Sequence, residues 1–292
     1  MQANPIHITP SAYSYPLLIK QLLHTPLASA PDQEIVYADK QRYTYRDFAR
    51  RLGRLANGLK RCGVEMGTTV AVMDWDSHRY LECFFAVPMI GAVLQTVNVR
   101  LSPEQILYTL NHAGAEVLLV NREFLPILAQ IRADLMSVKT FVLLSDDDAP
   151  LPEGFAAEYE SLLASSPEEY DFPDFDENTR ATTFYTTGTT GLPKGVYFSH
   201  RQLVLHTLAV SAALGLAPVQ GRFHRDDVYM PLTPMFHVHA WGIPYVATMA
   251  GVKQVYPGRY QPTTILELIE REKVSFSHCV PTILHMLLSS PA

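Results

Sequence analysis

Between Thr186 and Gly195 stand four threonines (Thr186, Thr187, Thr189, Thr190), three glycines (Gly188, Gly191, Gly195) and one lysine, Lys194. Backbone amides freed by glycine, hydroxyl donors and an ammonium are the groups that wrap a polyphosphate. The flanking runs "ATTFY" and "VYF" are rich in the residues that favour strands, so the segment is expected as a loop between two strands. Its order is not that of a Walker loop, because Lys194 precedes Gly195 and neither serine nor threonine follows. Nor is it a dinucleotide fingerprint: the glycines are three and four apart and no helix opens directly behind them. On composition alone, a hairpin loop whose threonines face water stands level with an anion cradle.

A second group lies in "PMFHVHAWG". His237 and His239 could suggest a metal site, since imidazole is a common zinc ligand. No third ligand stands nearby, and the pair would share a face on a strand and diverge on a helix. A buried histidine satisfied by backbone is the plainer alternative. Trp241 would sit one turn beyond His237 if the stretch is helical, and a tryptophan among apolar residues is ordinarily core. The cluster "GRFHRDDV" from Gly221 is so dense in charge that a solvated loop is expected rather than a catalytic Asp and His pair.

"YTTGTTGLPKGV" resembles the phosphate-binding signature of the adenylate-forming superfamily, which comprises acyl-CoA synthetases, aryl-CoA ligases, luciferases and peptide-synthetase adenylation domains. "GAVLQTVNVRLSPEQI" from Gly91, "PLTPMFHVHAWG" from Pro231 and "VSFSHCVPTILHMLL" resemble further segments of that superfamily in the same order, so the likeness runs from about Tyr37 to the end. The resemblance implies a ligase that joins a small-molecule carboxylic acid to the α-phosphate of ATP and then passes the acyl group to coenzyme A. It implies that Thr186, Thr187, Gly188, Thr189, Thr190, Gly191 and Lys194 bind the nucleotide phosphates, with Thr186 beside magnesium and with Lys194 and His237 as catalytic residues. His237 and Trp241 are implied at the acyl pocket. Peptide-synthetase relatives carry an aspartate near this segment and "MFHVHAW" has none, which tilts the substrate toward a fatty or other uncharged acyl tail.

The same resemblance implies downstream elements that are not among the 292 residues: a glutamate that shares the magnesium, an aspartate for the ribose, and a mobile C-terminal domain with its own lysine. The expectation is that this polypeptide alone does not turn over. A non-catalytic fragment that binds nucleotide or acyl chain, or serves only interaction, is the alternative from another class. An aryl-CoA ligase, a luciferase-like oxygenase and an adenylation domain are the alternatives within enzymes.

Such residues need a scaffold, and the chain supplies the pattern of one. From about Val70 onward short β-branched runs alternate with amphipathic stretches, as in sheets wound with helices. "TTVAVMDWD", "VLQTVN", "EVLLV", "VKTFVLL", "DVYMPL", "KQVYP" and "VSFSHC" read as strands. "LSPEQILYTLNHAG" reads as a helix with Ser102 as N-cap, Pro103 in the first turn, Gln105 closing a capping box and Gly114 as the stop. "TYRDFARRLGRLANGLKRCG" carries Phe48, Leu52, Leu55 and Leu59 on one face and basic residues on the other. A helix is expected through Trp241 to Met249. The crowd of Asp, Glu and Pro from Ser165 to Arg180 reads as a connector. The fold class is therefore α/β, in two subdomains: 1–175 with an N-terminal extension, and 176–292 carrying the Thr/Gly loop, the second incomplete.

Composition agrees with a folded chain, at 48% hydrophobic and 18% charged residues. The balance of 23 Lys and Arg against 29 Asp and Glu, with no basic stripe, argues against a nucleic-acid partner. The three cysteines are far apart, which suits a reducing compartment, and the expected location is the cytoplasm. Leu232 to Val252 is long enough for a membrane span, but His237, His239, Pro234 and Pro244 interrupt it, so no transmembrane segment is expected. A homodimer is left open.

Overall fold

The computed structural model describes residues 4–186 and 191–290. The described residues form two sheets. The larger is built from β3 (Thr69–Met73), β4 (Val93–Thr96), β5 (Ala115–Asn121), β6 (Thr140–Leu144), β7 (Ala157–Glu158), β8 (Arg180–Thr186) and β9 (Lys194–Ser199), in the order β7-β6-β5-β3-β4-β8-β9. All neighbours are parallel except the antiparallel hairpin β8–β9. The smaller has the order β12-β10-β11-β1-β2, from β1 (Glu34–Tyr37), β2 (Gln41–Thr44), β10 (Val228–Pro231), β11 (Lys253–Tyr256) and β12 (Phe276–His278).

Each sheet draws strands from both sides of the expected division at residue 175. β8 and β9 complete the first sheet, while β1 and β2 form the edge of the second. The two α/β units are thus interleaved along the chain, because an edge strand is satisfied by any extended partner that offers its ladder, whatever its place in sequence. Strands buried by helices read as continuous apolar runs, and β3, β4 and β6 are buried almost throughout.

The helix α2 (Tyr45–Arg61) begins at the capping box of Thr44 and Asp47 and buries Phe48, Leu52, Leu55 and Leu59, the face its sequence marks out. It packs on α3 (His78–Met89), which is buried over its whole length, charged residues included. Within that contact Glu82 accepts hydrogen bonds from Tyr43 Oη at 2.8 Å, Tyr159 Oη at 2.6 Å and Arg51 Nε at 2.7 Å, so the buried carboxylate is fully partnered. The helix α4 (Pro103–Ala113) carries the expected caps, Ser102 and Gln105 at its start and Gly114 at φ +64° at its end.

The connector crosses α2. Asn57 donates to the carbonyls of Pro167 and Glu169, and a Cβ at Gly53 would lie 1.8 Å from the Glu168 carbonyl oxygen, so only glycine lets the backbones meet there. The chain then enters β8. The segments that follow β3, β10 and β11 meet at their carboxyl ends, where Asp76 bonds Met235, Tyr260 and Gly258, and such ends are where wound α/β sheets bind ligands.

Candidate functional site

The loop that opened the sequence reading is carried by the hairpin β8–β9. In its register Thr186 stands opposite Lys194 and Tyr185 opposite Gly195, so the first and last of the expected phosphate-binding residues share the neck of one loop. Thr187, Gly188, Thr189 and Thr190 lie outside the described residues. Gly191 has φ +111°, a conformation an L side chain rarely adopts, and nothing lies within 4 Å of where its Cβ would be. Lys194 is exposed and Thr186 half-buried. At Gly195 a Cβ would come within 3.3 Å of the Tyr185 ring, whose hydroxyl is held at 2.8 Å by His112 Nδ1.

Among the described residues no three His, Cys, Asp or Glu side chains come together to hold a metal ion. A magnesium arriving with phosphate keeps most of its ligands as phosphate oxygens and water. Thr186, expected beside such an ion, stands half-buried at the neck of the hairpin, where a hydroxyl can add to that set.

Across the hairpin Phe184 and Phe198 pair at 5.8 Å between ring centres, and both face His239, at 5.3 and 6.2 Å. Phe84 from α3 adds a third ring at 5.7 Å. This aromatic box buries His239 to 1% exposure, and burial, with His206 next in effect, holds its imidazole down to about 3, so the side chain is neutral.

His239 belongs to a turn of unusual hand. Val238, His239, Ala240 and Trp241 have φ of +49°, +55°, +47° and +56°, and Gly242 follows at +73°. Four consecutive non-glycine residues are thus left-handed, at roughly 1–2 kcal/mol each. The expected helix through Trp241 starts only at Ile243 and runs to Ala250. The turn points Val238, His239 and Trp241 into one apolar pocket of about 440 Å³, completed by Phe198 and by Gln202, Leu203, Leu205 and His206 of α7 (His200–Gly215). That volume is ordinary for a small-molecule site. His206 Nε2–H donates to the Trp241 carbonyl at 3.0 Å, and Trp241 stays 55% exposed at the rim.

His237 is exposed and is not among the residues lining the pocket; it stands just ahead of Val238, which is. The HxH pair therefore diverges, as expected for a helical and not an extended segment, with one ring in solvent and one in the aromatic box.

Sequence reasoning singled out Trp241 but not His206, Gln202 or the pocket role of His239. The polar His206 within the apolar run "LVLHTLAV" was the available signal. It also missed Asp76, three residues past β3. Asp76 is 2% exposed, and its carboxylate accepts from the Met235 amide at 2.8 Å and from Tyr260 Oη at 2.7 Å. Nothing in "MDWDS" distinguishes it from a loop residue.

An apolar pocket that shares Phe198 with the Gly/Thr/Lys hairpin lies on a sheet wound with helices, the architecture of an α/β protein. The chain belongs to the AMP-binding enzyme family, whose model matches residues 23–292. It is 46% identical over 243 residues to a long-chain-fatty-acid–CoA ligase of Thermus thermophilus, covering 83% of this chain and 43% of that protein. It is 39% identical over 256 residues to a medium-chain-fatty-acid–CoA ligase of Ectopseudomonas oleovorans, covering 86% and 46%. The chain thus spans less than half the length of these two relatives. Among solved structures it superposes on a long-chain-fatty-acid CoA ligase from Rhodopseudomonas palustris with TM-score 0.80 at 26% identity, over 95% of this chain and 67% of that one. An anthranilate CoA ligase with anthranoyl-AMP bound gives TM-score 0.80 at 24% identity over 92% of this chain and 51% of that one, a likeness of fold.

Proposed function

We propose that this chain supplies the nucleotide and acyl sites of an ATP-dependent carboxylate–CoA ligase acting on fatty or other uncharged acyl chains. One observation carries the reading: of the strands that flank the Gly/Thr loop, one places Phe198 in the wall of the apolar pocket and the other packs Phe184 behind it, against His239. Phosphate and acyl tail would therefore meet in one cleft. In the reaction a carboxylate oxygen bonds to the α-phosphorus, the bond to pyrophosphate breaks, and the coenzyme A thiol then displaces AMP from the acyl carbon. Both first reactants are anions, so the work is orientation and charge stabilisation rather than side-chain nucleophilic attack.

In this reading Lys194 supplies a point charge to the β and γ phosphates, and Thr186, Thr187, Gly188, Thr189, Thr190 and Gly191 supply amide and hydroxyl donors. The Thr186 hydroxyl would help hold a magnesium ion brought with ATP, which would supply screening of the phosphate charge. His237, exposed beside the pocket, is proposed next to the incoming carboxylate, and Trp241 at the rim contacts the tail. The substrate class follows from the lining, which carries no Asp, Glu, Lys or Arg and in which His239 is neutral. A charged tail would lose its hydration without gaining a partner. The 4-hydroxybutyrate–CoA ligase of Metallosphaera sedula, 30% identical over 255 residues, is a relative whose named substrate also has an uncharged tail.

No helix among the described residues is long and apolar enough to cross a membrane, and Cys62, Cys83 and Cys279 are unbridged, which supports the cytoplasm as the place of action. The test is binding of nonhydrolysable acyl-sulfamoyl adenosines, followed through tryptophan fluorescence. Affinity should rise with tail length and be lost for an ω-amino tail. Equal binding of both tails would contradict the assigned substrate class.

A further inference from the structure

A left-handed run of four non-glycine residues persists only if its surroundings over-determine it. Its exit is held by His206 on the Trp241 carbonyl and by Gly242. Its entry is held from the first sheet. Thr96, at the end of β4, donates to the Phe236 carbonyl at 3.1 Å, and Asp76, just past β3, accepts the Met235 amide at 2.8 Å. Asp76 does more than cap one amide. Its second carboxylate oxygen accepts from Tyr260 Oη at 2.7 Å, and its main-chain carbonyl accepts the Gly258 amide at 2.8 Å. One residue from the larger sheet thus gathers two separate loops of the smaller sheet, those following β10 and β11.

The chemistry of the contact is unusual for a merely structural bond. A carboxylate 2% exposed, in no ion pair among the described residues, is costly to bury, and its donors are a neutral amide and a neutral phenol. Both oxygens receive donors, so the orientation of the group is set by two loops at once. An asparagine could accept at one of these positions only.

We infer that Asp76 is the positioning residue of the acyl pocket: it ties the entry of the left-handed turn to the larger sheet and so fixes where Val238, His239 and Trp241 project. The inference rests on the pocket assignment for its functional meaning, and on hydrogen bonds alone for the clamp. Asp76 is not among the residues that line the pocket. It acts through Met235, three residues before the turn.

The experiment separates the two. Hydrogen exchange over 232–242 in the 292-residue chain reads the clamp without any ligand. Asp76→Ala should speed exchange of the Met235 region at least about tenfold while amides of β3 and β5 keep wild-type protection; Asp76→Asn should fall between, and Tyr260→Phe should show a smaller increase. Unchanged exchange in Asp76→Ala and Tyr260→Phe overturns the clamp. If Asp76→Ala does not fold, Tyr260→Phe and Asp76→Asn decide by the same readout. Binding of the fluorescent fatty acid cis-parinaric acid reads the pocket, at a temperature where circular dichroism of each variant is native. Affinity should fall about tenfold in Asp76→Ala and be partly restored in Asp76→Asn. Looser exchange with undiminished affinity overturns the positioning role. Failure of the wild-type chain to bind the probe instead sinks the acyl-pocket assignment, and the exchange result still decides the clamp.

Discussion

Gly242 closes the left-handed turn, and Gly242→Ala tests that turn with a magnitude that can be worked from the geometry. Alanine at φ +73° costs about 1–2 kcal/mol. Its Cβ would lie 2.7 Å from His206 Cδ2 and 2.8 Å from Nε2, closer than such atoms approach, so the imidazole must move. Moving it breaks the 3.0 Å bond to the Trp241 carbonyl, worth about 1 kcal/mol. The sum is roughly 2–3 kcal/mol, or about 3–5 °C in the unfolding midpoint of a chain of this size. Thermal unfolding of Gly242→Ala, His206→Ala and the double variant separates the terms. In the His206→Ala background the clash is gone, so alanine at 242 should cost only the backbone part, with about 1 kcal/mol of coupling between the two sites. Strict additivity, or a Gly242→Ala midpoint equal to wild type, would refute the left-handed turn and its His206 brace.

Three further outcomes are expected. Glu82→Ala strands Arg51, Tyr43 and Tyr159 around a vacated buried charge and should destabilise by about 3–5 kcal/mol in urea unfolding; a loss under 1 kcal/mol would contradict the partnered-carboxylate description. Burial holds His200 down to about 4 and His239 to about 3, both below the usual 6.5, so the unfolded chain binds protons first on acidification. The stability these neutral imidazoles contribute is complete above pH 6.5 and lost toward pH 4. Asp76 works the other way: burial, opposed by its Met235 and Tyr260 hydrogen bonds, pushes it up to about 7 from 3.8, so the folded chain takes up that proton first. Asp76→Asn should therefore steepen the loss of urea stability between pH 7 and pH 4, and an unaltered slope would count against the assignment. Lys194 is exposed, so Lys194→Ala should leave the unfolding midpoint unchanged while weakening ATP binding about tenfold, as calorimetric titration would show.

The parts of the fold set by local chemistry were legible. Ser102, Gln105 and Gly114 bounded α4 because caps act within one turn, and the 3.6-residue spacing of Phe48, Leu52, Leu55 and Leu59 marked the buried face of α2. Sheet membership was not legible, because strand pairing is a long-range choice: nothing in "EIVY" says that it will lie beside "KQVY" two hundred residues later. The turn at 238–241 was invisible for a different reason. Val, Ala and Trp have no local preference for positive φ, and contacts made by Asp76, Thr96 and His206, distant in sequence, hold the turn there. That is also why His237 lies in solvent and His239 in the aromatic box: a helical period indicates that the two diverge but not which of them is buried.

Whether the hairpin neck of Thr186 and Lys194 cradles a polyphosphate can be settled by phosphorus NMR of magnesium ATP titrated with the 292-residue chain. Saturable broadening of the β and γ resonances that Lys194→Ala and Thr186→Ala each weaken is the expected result. Resonances that stay sharp, or that broaden equally with all three proteins, would contradict it.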